Sequence, residues 1–141
     1  MARSSDCLVG AAVLVADDFP ALTSLVAEVF RACRARVFTA SSGQEAMMTL
    51  QLEHLDLVVL DLHMPPPDGW QVLQFIRQVC PDLLARTILL TADAYRQETL
   101  LRIRSAALPV VYKPFEVATL QRVARETLSR ARHAPPLTRP A

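Results

Sequence analysis

Neither a G-x-G-x-x-G stretch nor a P-loop occurs in the chain, which counts against a dinucleotide-binding or nucleoside-triphosphate enzyme. Paired cysteines are missing too. Cys7, Cys33 and Cys80 are odd in number, widely spaced and without a C-x-x-C pair. Neither a disulfide framework nor a zinc site is expected, only free and mostly buried thiols in a reducing compartment. A net charge of +1 leaves no general pull toward nucleic acid or anionic lipid. The late arginines Arg122, Arg125, Arg130 and Arg132 suit the C-terminal end of a helix, where the dipole favours cations. Long apolar runs are also lacking. The stretch 7–16 after Arg3 looks like a short secretory signal, but it is too short to span a bilayer, and cleavage after Ala16 would remove a strand that later motifs need.

What remains is a compact-domain composition. At 141 residues, with 52% apolar and 21% charged residues, the chain fits one domain with one substantial core. Strand-like and helical stretches alternate five times. Strands are expected at 12–16, 36–40, 56–61, 86–91 and 109–113, and helices near 20–34, 42–53, 68–80, 94–105 and 116–132. Unbroken apolar strands such as Leu57 to Leu60 imply burial on both faces, as in a parallel sheet covered by helices. In the last helix Val117, Leu120, Ala124 and Leu128 recur at steps of three and four, forming one apolar face. Ser42, three residues before Glu45, reads as a capping box. The proline-rich segment 134–141 cannot continue a helix and is expected to be a disordered tail. The expected organisation is an N-terminal extension over 1–10, a domain over 11–133 and that tail, with no second domain.

Chemistry-bearing residues cluster at the strand ends. Asp17 and Asp18 follow Ala12–Ala16, Asp61 follows Leu57–Leu60, Thr91 follows Thr87–Leu90, and Lys113-Pro114 follows Val110–Tyr112. Ligands of open parallel sheets bind outside the carboxyl ends of the strands, so these groups are expected to converge. Three carboxylates, a hydroxyl and an ammonium suit a hard cation and a phosphoryl group. Asp61, expected open to solvent, is the candidate nucleophile, because a carboxylate can attack phosphorus and carry an acyl phosphate. Asp17 and Asp18 are candidate Mg²⁺ ligands, although Asp18 before Phe19-Pro20 also has the form of a helix N-cap.

In this order the motifs resemble the receiver domain of bacterial two-component response regulators. The stretch from Asp61 to Gly69 (Asp61-Leu62-His63-Met64-Pro65-Pro66-Pro67-Asp68-Gly69) is similar to the family's D-x-x-M-P-x-x-D-G turn. Thr91 falls 30 positions after Asp61 and Lys113 falls 52 after it, as in the family. The resemblance covers about residues 11 to 132. It implies a flavodoxin-like doubly wound α/β fold, a five-stranded parallel sheet of order 2-1-3-4-5 with helices on both faces. It further implies Asp61 as phosphoacceptor, with Thr91 and Lys113 contacting the phosphoryl oxygens. Mg²⁺ would be held by Asp17, Asp18, Asp61 and the backbone carbonyl of His63. A cis Lys113–Pro114 bond would aim the lysine. Gly69 would supply a permissive backbone after the turn. His63 and Asp93 take the positions that set phosphoryl lifetime in the family, with a pair across the mouth of the site and two independent solvated side chains both open as readings.

Two departures from the family pattern stand out. Pro65-Pro66-Pro67 puts a proline run where the family usually keeps one, stiffening the loop. Val110 occupies the place of the usual aromatic switch residue. The expected function is a single-domain cytoplasmic response regulator, not an enzyme beyond its own phosphorylation and dephosphorylation. Its partners would be a sensor histidine kinase or phosphotransfer protein and an unknown downstream protein. The fourth helix, fifth strand and fifth helix would form an output or homodimer surface, with no direct nucleic-acid or membrane partner. An adaptor working independently of phosphorylation stays open as the alternative. Trp70 is expected to be a partly buried packing residue that can report on the site.

Overall fold

Five parallel strands carry the architecture. The computed structural model describes residues 6–133, so the tail expected at 134–141 lies outside the described residues. The strands are β1 (Ala12–Ala16), β2 (Arg36–Ala40), β3 (Leu57–Asp61), β4 (Thr87–Thr91) and β5 (Val110–Tyr112). They form one sheet of order β2-β1-β3-β4-β5, the doubly wound arrangement expected from the sequence. Five helices connect and follow them: α1 (Pro20–Ala32), α2 (Gly43–Leu52), α3 (Gly69–Val79), α4 (Gln97–Ala106) and α5 (Val117–His133).

Apart from Asp61 closing β3 and the threonines at either end of β4, the central strands are apolar, yet successive side chains still point to opposite faces. Leu14, Val58, Leu60 and Leu89 join the core beneath α2, α3 and α4. Val13, Val15, Leu57, Val59, Ile88 and Leu90 join the core beneath α1 and α5. Both faces are therefore dry, which is why no polar alternation shows in β1, β3 or β4. Register then levels the strand ends. Ala16 pairs with Ala40 and Leu60, Asp61 with Leu90, and Thr91 with Tyr112.

Helix starts differ from the sequence reading in instructive ways. Ser42 does accept the Glu45 N–H, at 3.1 Å, but the Glu45 carboxylate reaches back to Ser41 rather than closing a reciprocal box. The reciprocal box sits on α3 instead, where Asp68 accepts from Gln71 N–H and the Gln71 side chain accepts from Asp68 N–H. Asp18 does not cap α1. Phe19 takes the N-cap position, and its N–H is taken by Asp17 Oδ1 at 2.9 Å. α4 begins at Gln97, later than the expected 94, because Asp93 Oδ1 accepts the Arg96 N–H and holds 93–96 as a turn. A short 3-10 helix, Pro81–Arg86, fills what read as a plain loop.

Gly69 has a steric role, not the conformational one expected. A Cβ there would overlap the Asp61 carbonyl oxygen and lie 2.5 Å from Leu62 Cα. α3 thus starts flush against the strand that presents Asp61. Substituting Gly69→Ala should cost about 1–3 kcal/mol as an overpacking change. The measurement is urea unfolding, and an unchanged midpoint would show that the turn can move aside. Gly43 is closed in the same way by the Pro67 carbonyl, so the proline run packs on the start of α2.

Residues 6–10 form a turn that packs onto the domain. Leu8 is fully buried in the core beneath α1 and α5. Asp6 receives the Arg125 guanidinium of α5 at 2.9 Å, an ion pair that holds the Asp6 carboxyl below its usual range.

Candidate functional site

Four strand ends bring the candidate residues to one edge of the sheet. Asp17, Asp18 and Asp61 each present a carboxylate oxygen, and these oxygens lie within 4.8 Å of one another. Lys113 reaches in from the loop after β5, with Nζ 2.7 Å from Asp17 Oδ2 and 3.4 Å from Asp61 Oδ2. Its position is fixed by the backbone. Lys113 N–H bonds the Thr91 carbonyl at 2.8 Å, extending the β4–β5 ladder by one residue, and the Lys113–Pro114 bond is cis. Pro114 itself is exposed.

Asp61 is not the open carboxylate the sequence suggested. Only 2% of the residue is exposed, because Asp17, Lys113 and the turn at His63 close over it. Burial raises its pKa above the ordinary carboxylate value. The His63 N–H, at 3.1 Å, and Lys113 pull the other way, while the Asp17 charge adds to the rise. Asp17 is as deeply buried, and Thr23 Oγ1 bonds its carbonyl at 2.9 Å, anchoring α1 to the end of β1. Asp18 is the exposed member of the trio.

Three carboxylates against one ammonium leave the cluster negative. The donor set is all oxygen, and each carboxylate oxygen keeps a second lone pair beside the bonds described. Such a set fits a hard divalent cation and would repel an uncompensated anion.

Above Asp61, Thr91 forms a hub that sequence reading missed. Its hydroxyl accepts the Asp93 N–H at 3.0 Å and lies 3.0 Å from His63 Nε2. His63 stands 4.0 Å from Asp93 Oδ2, so a pair across the mouth, one of the two readings the sequence left open, is secondary to the His63–Thr91 contact. Asp93 is occupied elsewhere. Thr99 Oγ1 of α4 donates to its Oδ2 at 3.0 Å, and Arg96 adds an N–H and a guanidinium. Burial opposes the shift, but these donors together with His63 hold the Asp93 carboxyl below its usual range. Nothing in the spacing of Thr99 or His63 announced this network.

Trp70 is half-buried at the start of α3, as expected, with the Arg102 guanidinium 4.2 Å over its ring. Val110 is half-buried against the core beneath α2, α3 and α4.

The response regulator receiver domain family matches residues 13–125. The chain belongs to that family. It is 34% identical over 129 residues to the transcriptional regulatory protein TrcR of Mycobacterium tuberculosis, covering 92% of this chain and 48% of that protein. The chain thus spans about half the length of the curated relatives that match along most of it. The receiver domain of a CheY-like response regulator from Methanospirillum hungatei superposes with a TM-score of 0.80 at 18% identity, covering 88% of this chain and 98% of that one. Response regulator TrrA of Thermotoga maritima, solved in complex with Mg(2+)-BeF, gives 0.73 at 31% identity, with coverages of 83% and 98%. Receiver domains are phosphoacceptor modules of two-component signalling, and the strand-end cluster lies where this fold binds ligands. Among the described residues of this receiver, no helix is long and apolar enough to cross a membrane.

Proposed function

We propose that this receiver takes a phosphoryl group onto Asp61 from a sensor histidine kinase or a phosphotransfer protein. One observation carries the reading: a buried carboxylate at the end of β3 faces Lys113 within 3.4 Å and shares its pocket with two further carboxylates, while Thr91 meets the adjoining His63. In the transfer an Asp61 oxygen forms a bond to phosphorus while the donor's N–P bond breaks, and the departing imidazole takes up a proton. Lys113 and Thr91 bind the phosphoryl oxygens and keep the centre aligned. Asp17, Asp18, Asp61 and the His63 backbone carbonyl would hold Mg²⁺, whose charge would offset that of the incoming group and favour ionised Asp61. Lys113 must then swing from Asp17 toward the phosphoryl group.

The organisation proposed is a cytoplasmic regulator with its receiver domain over 11–133, flanked by segments 1–10 and 134–141. Its catalysis is confined to its own phosphorylation and dephosphorylation. The signal passes to a downstream protein through α4, β5 and α5, a surface that also serves a homodimer. Thr91 links the site to that surface, since its neighbour Asp93 holds the first turn of α4 through Thr99. Phosphorylation acts as a population shift along this link. An adaptor that works without phosphorylation is the second reading, favoured by Val110, which cannot make a large ring movement.

Acetyl phosphate and Mg²⁺ separate the two. The regulator should gain the mass of one phosphoryl group, lost on adding a chelator, whereas an unmodified protein under both conditions leaves the adaptor. Within the first reading, Asp18→Asn should weaken Mg²⁺ binding by roughly tenfold, since it removes a charge from a hard-cation site. Equal titrations for both proteins would take Asp18 out of the metal site.

His63 and Asp93 should set how long the phosphate survives. His63→Ala uncovers Thr91 and should change the dephosphorylation rate by about fivefold, the equivalent of one hydrogen bond. Because the two residues lie 4.0 Å apart and both meet the Thr91 hydroxyl, His63→Ala and Asp93→Ala should combine non-additively. A strictly additive double variant would instead show that the two side chains act independently.

A further inference from the structure

α3 and α4 lie side by side on one face of the sheet, and an open trough of about 340 Å³ runs between them. Trp70, Leu73 and Arg77 form its α3 wall at steps of three and four, a stripe about 10 Å long. Leu101, Arg102 and Ser105 form the α4 wall. Leu73 is buried and gives the trough an apolar floor, while Leu101 is half exposed at the rim.

The polar lining is unbalanced. Two guanidiniums face the trough and no carboxylate lines it. Among the described residues neither Arg77 nor Arg102 makes an ion pair, so both exposed guanidiniums can meet carboxylates from outside the chain. Arg102 is also pre-positioned. Its guanidinium carbon lies 4.2 Å over the Trp70 indole, a contact that restricts its rotamers while its N–H groups can still meet a carboxylate. An open trough of this length takes about three residues of extended chain. It is too shallow to enclose a small molecule, whose sites bury most of the ligand.

We propose that the α3–α4 trough docks a short acidic segment of a partner protein, with carboxylates on Arg77 and Arg102 and an apolar side chain between them against Leu73 and Leu101. This goes beyond the phosphoacceptor reading and does not depend on it, because Arg77 and Arg102 lie outside the Asp61 pocket. Binding occurs with Asp61 unmodified.

The test is selection of a random peptide library displayed on phage against the full chain, followed by titration of the enriched peptides as synthetic probes. The chain's one tryptophan is in the trough, so its emission reports occupancy directly. Enriched peptides should carry two acidic residues flanking an apolar one, and they should change Trp70 emission saturably and bind less tightly as salt rises. Arg77→Glu and Arg102→Glu should each weaken binding about tenfold or more, and Arg102→Lys should fall between, having kept the charge but lost the fork. Unaltered thermal melts would show that these exposed substitutions leave the fold intact. No enrichment, enrichment of peptides without acidic residues, or affinity unaffected by both charge reversals would overturn the proposal. So would a trough that answers to a nucleotide such as adenosine triphosphate but not to the selected peptides.

Discussion

Asp61→Asn should abolish phosphorylation by acetyl phosphate while making the protein more stable. The loss is total because an amide offers no nucleophilic carboxylate oxygen, and mass spectrometry of the intact chain reads it directly. The gain follows from burial. Asp61 is 2% exposed beside the Asp17 carboxylate, and burial raises its pKa in the folded protein above the ordinary 3.8. A carboxyl with a raised folded pKa stabilises the fold in its protonated form. That contribution is present below 3.8 and lost as pH rises through the higher folded value. At neutral pH the ionised carboxylate therefore costs stability that the neutral amide does not. Without divalent cations the variant should melt several degrees higher at pH 7, an increase of about 1 kcal/mol. The difference should fade as pH is lowered toward 3.8. A variant that melts lower at neutral pH would mean that the Lys113 contact with Asp61 outweighs burial.

Removing Lys113 should do the opposite. Asp17 is 1% exposed, and its Oδ2 rests on Lys113 Nζ at 2.7 Å. Lys113→Met keeps much of the side-chain volume but leaves two buried carboxylates facing each other and the nearby Asp18. Breaking a buried pair from one side typically costs about 3–5 kcal/mol. Lys113 is itself 19% exposed, so the lower part of that range applies. Added Mg²⁺ should recover a large share of the loss, because a cation that binds only the folded state stabilises it. Denaturant titrations with and without Mg²⁺ measure both. A variant as stable as the wild type in chelator would show that water, not Lys113, screens Asp17. Phosphorylation should also slow, but the recovery by cation separates the charge effect from lost catalysis.

The strand-end residues were legible because each follows an apolar run that only a doubly covered strand needs. β1 and β2 matched their expected limits, and β3, β4 and β5 differed by a residue or so at their ends. Two kinds of feature escaped. The first was a signal present but passed over: Asp68 followed three residues later by Gln71 is as good a capping box as Ser42 and Glu45, and the structure completes the former alone. The second left no local trace. Whether His63 turns to Asp93 or Thr91 depends on the course of two loops 28 residues apart, and periodicity carries nothing about that. The Asp61 burial belongs to the same kind, since much of its cover comes from Asp17 after β1 and Lys113 after β5, far away in sequence. Gly69 was singled out correctly and explained wrongly, because crowding against β3 is a tertiary fact.

The turn at residues 6–10 bears on how this module can be transplanted. The family match begins at residue 13, and a fusion designed on that limit would be joined at the start of β1. Such a chimaera would discard Leu8, which belongs to the same dry cluster as Phe30 and Leu128, and would strip Arg125 of its carboxylate partner. A faithful graft needs its upstream junction ahead of Asp6 and its downstream junction beyond Leu128. Linkers fused at the amino end would then emerge beside α5, on the side of the sheet away from α3 and α4.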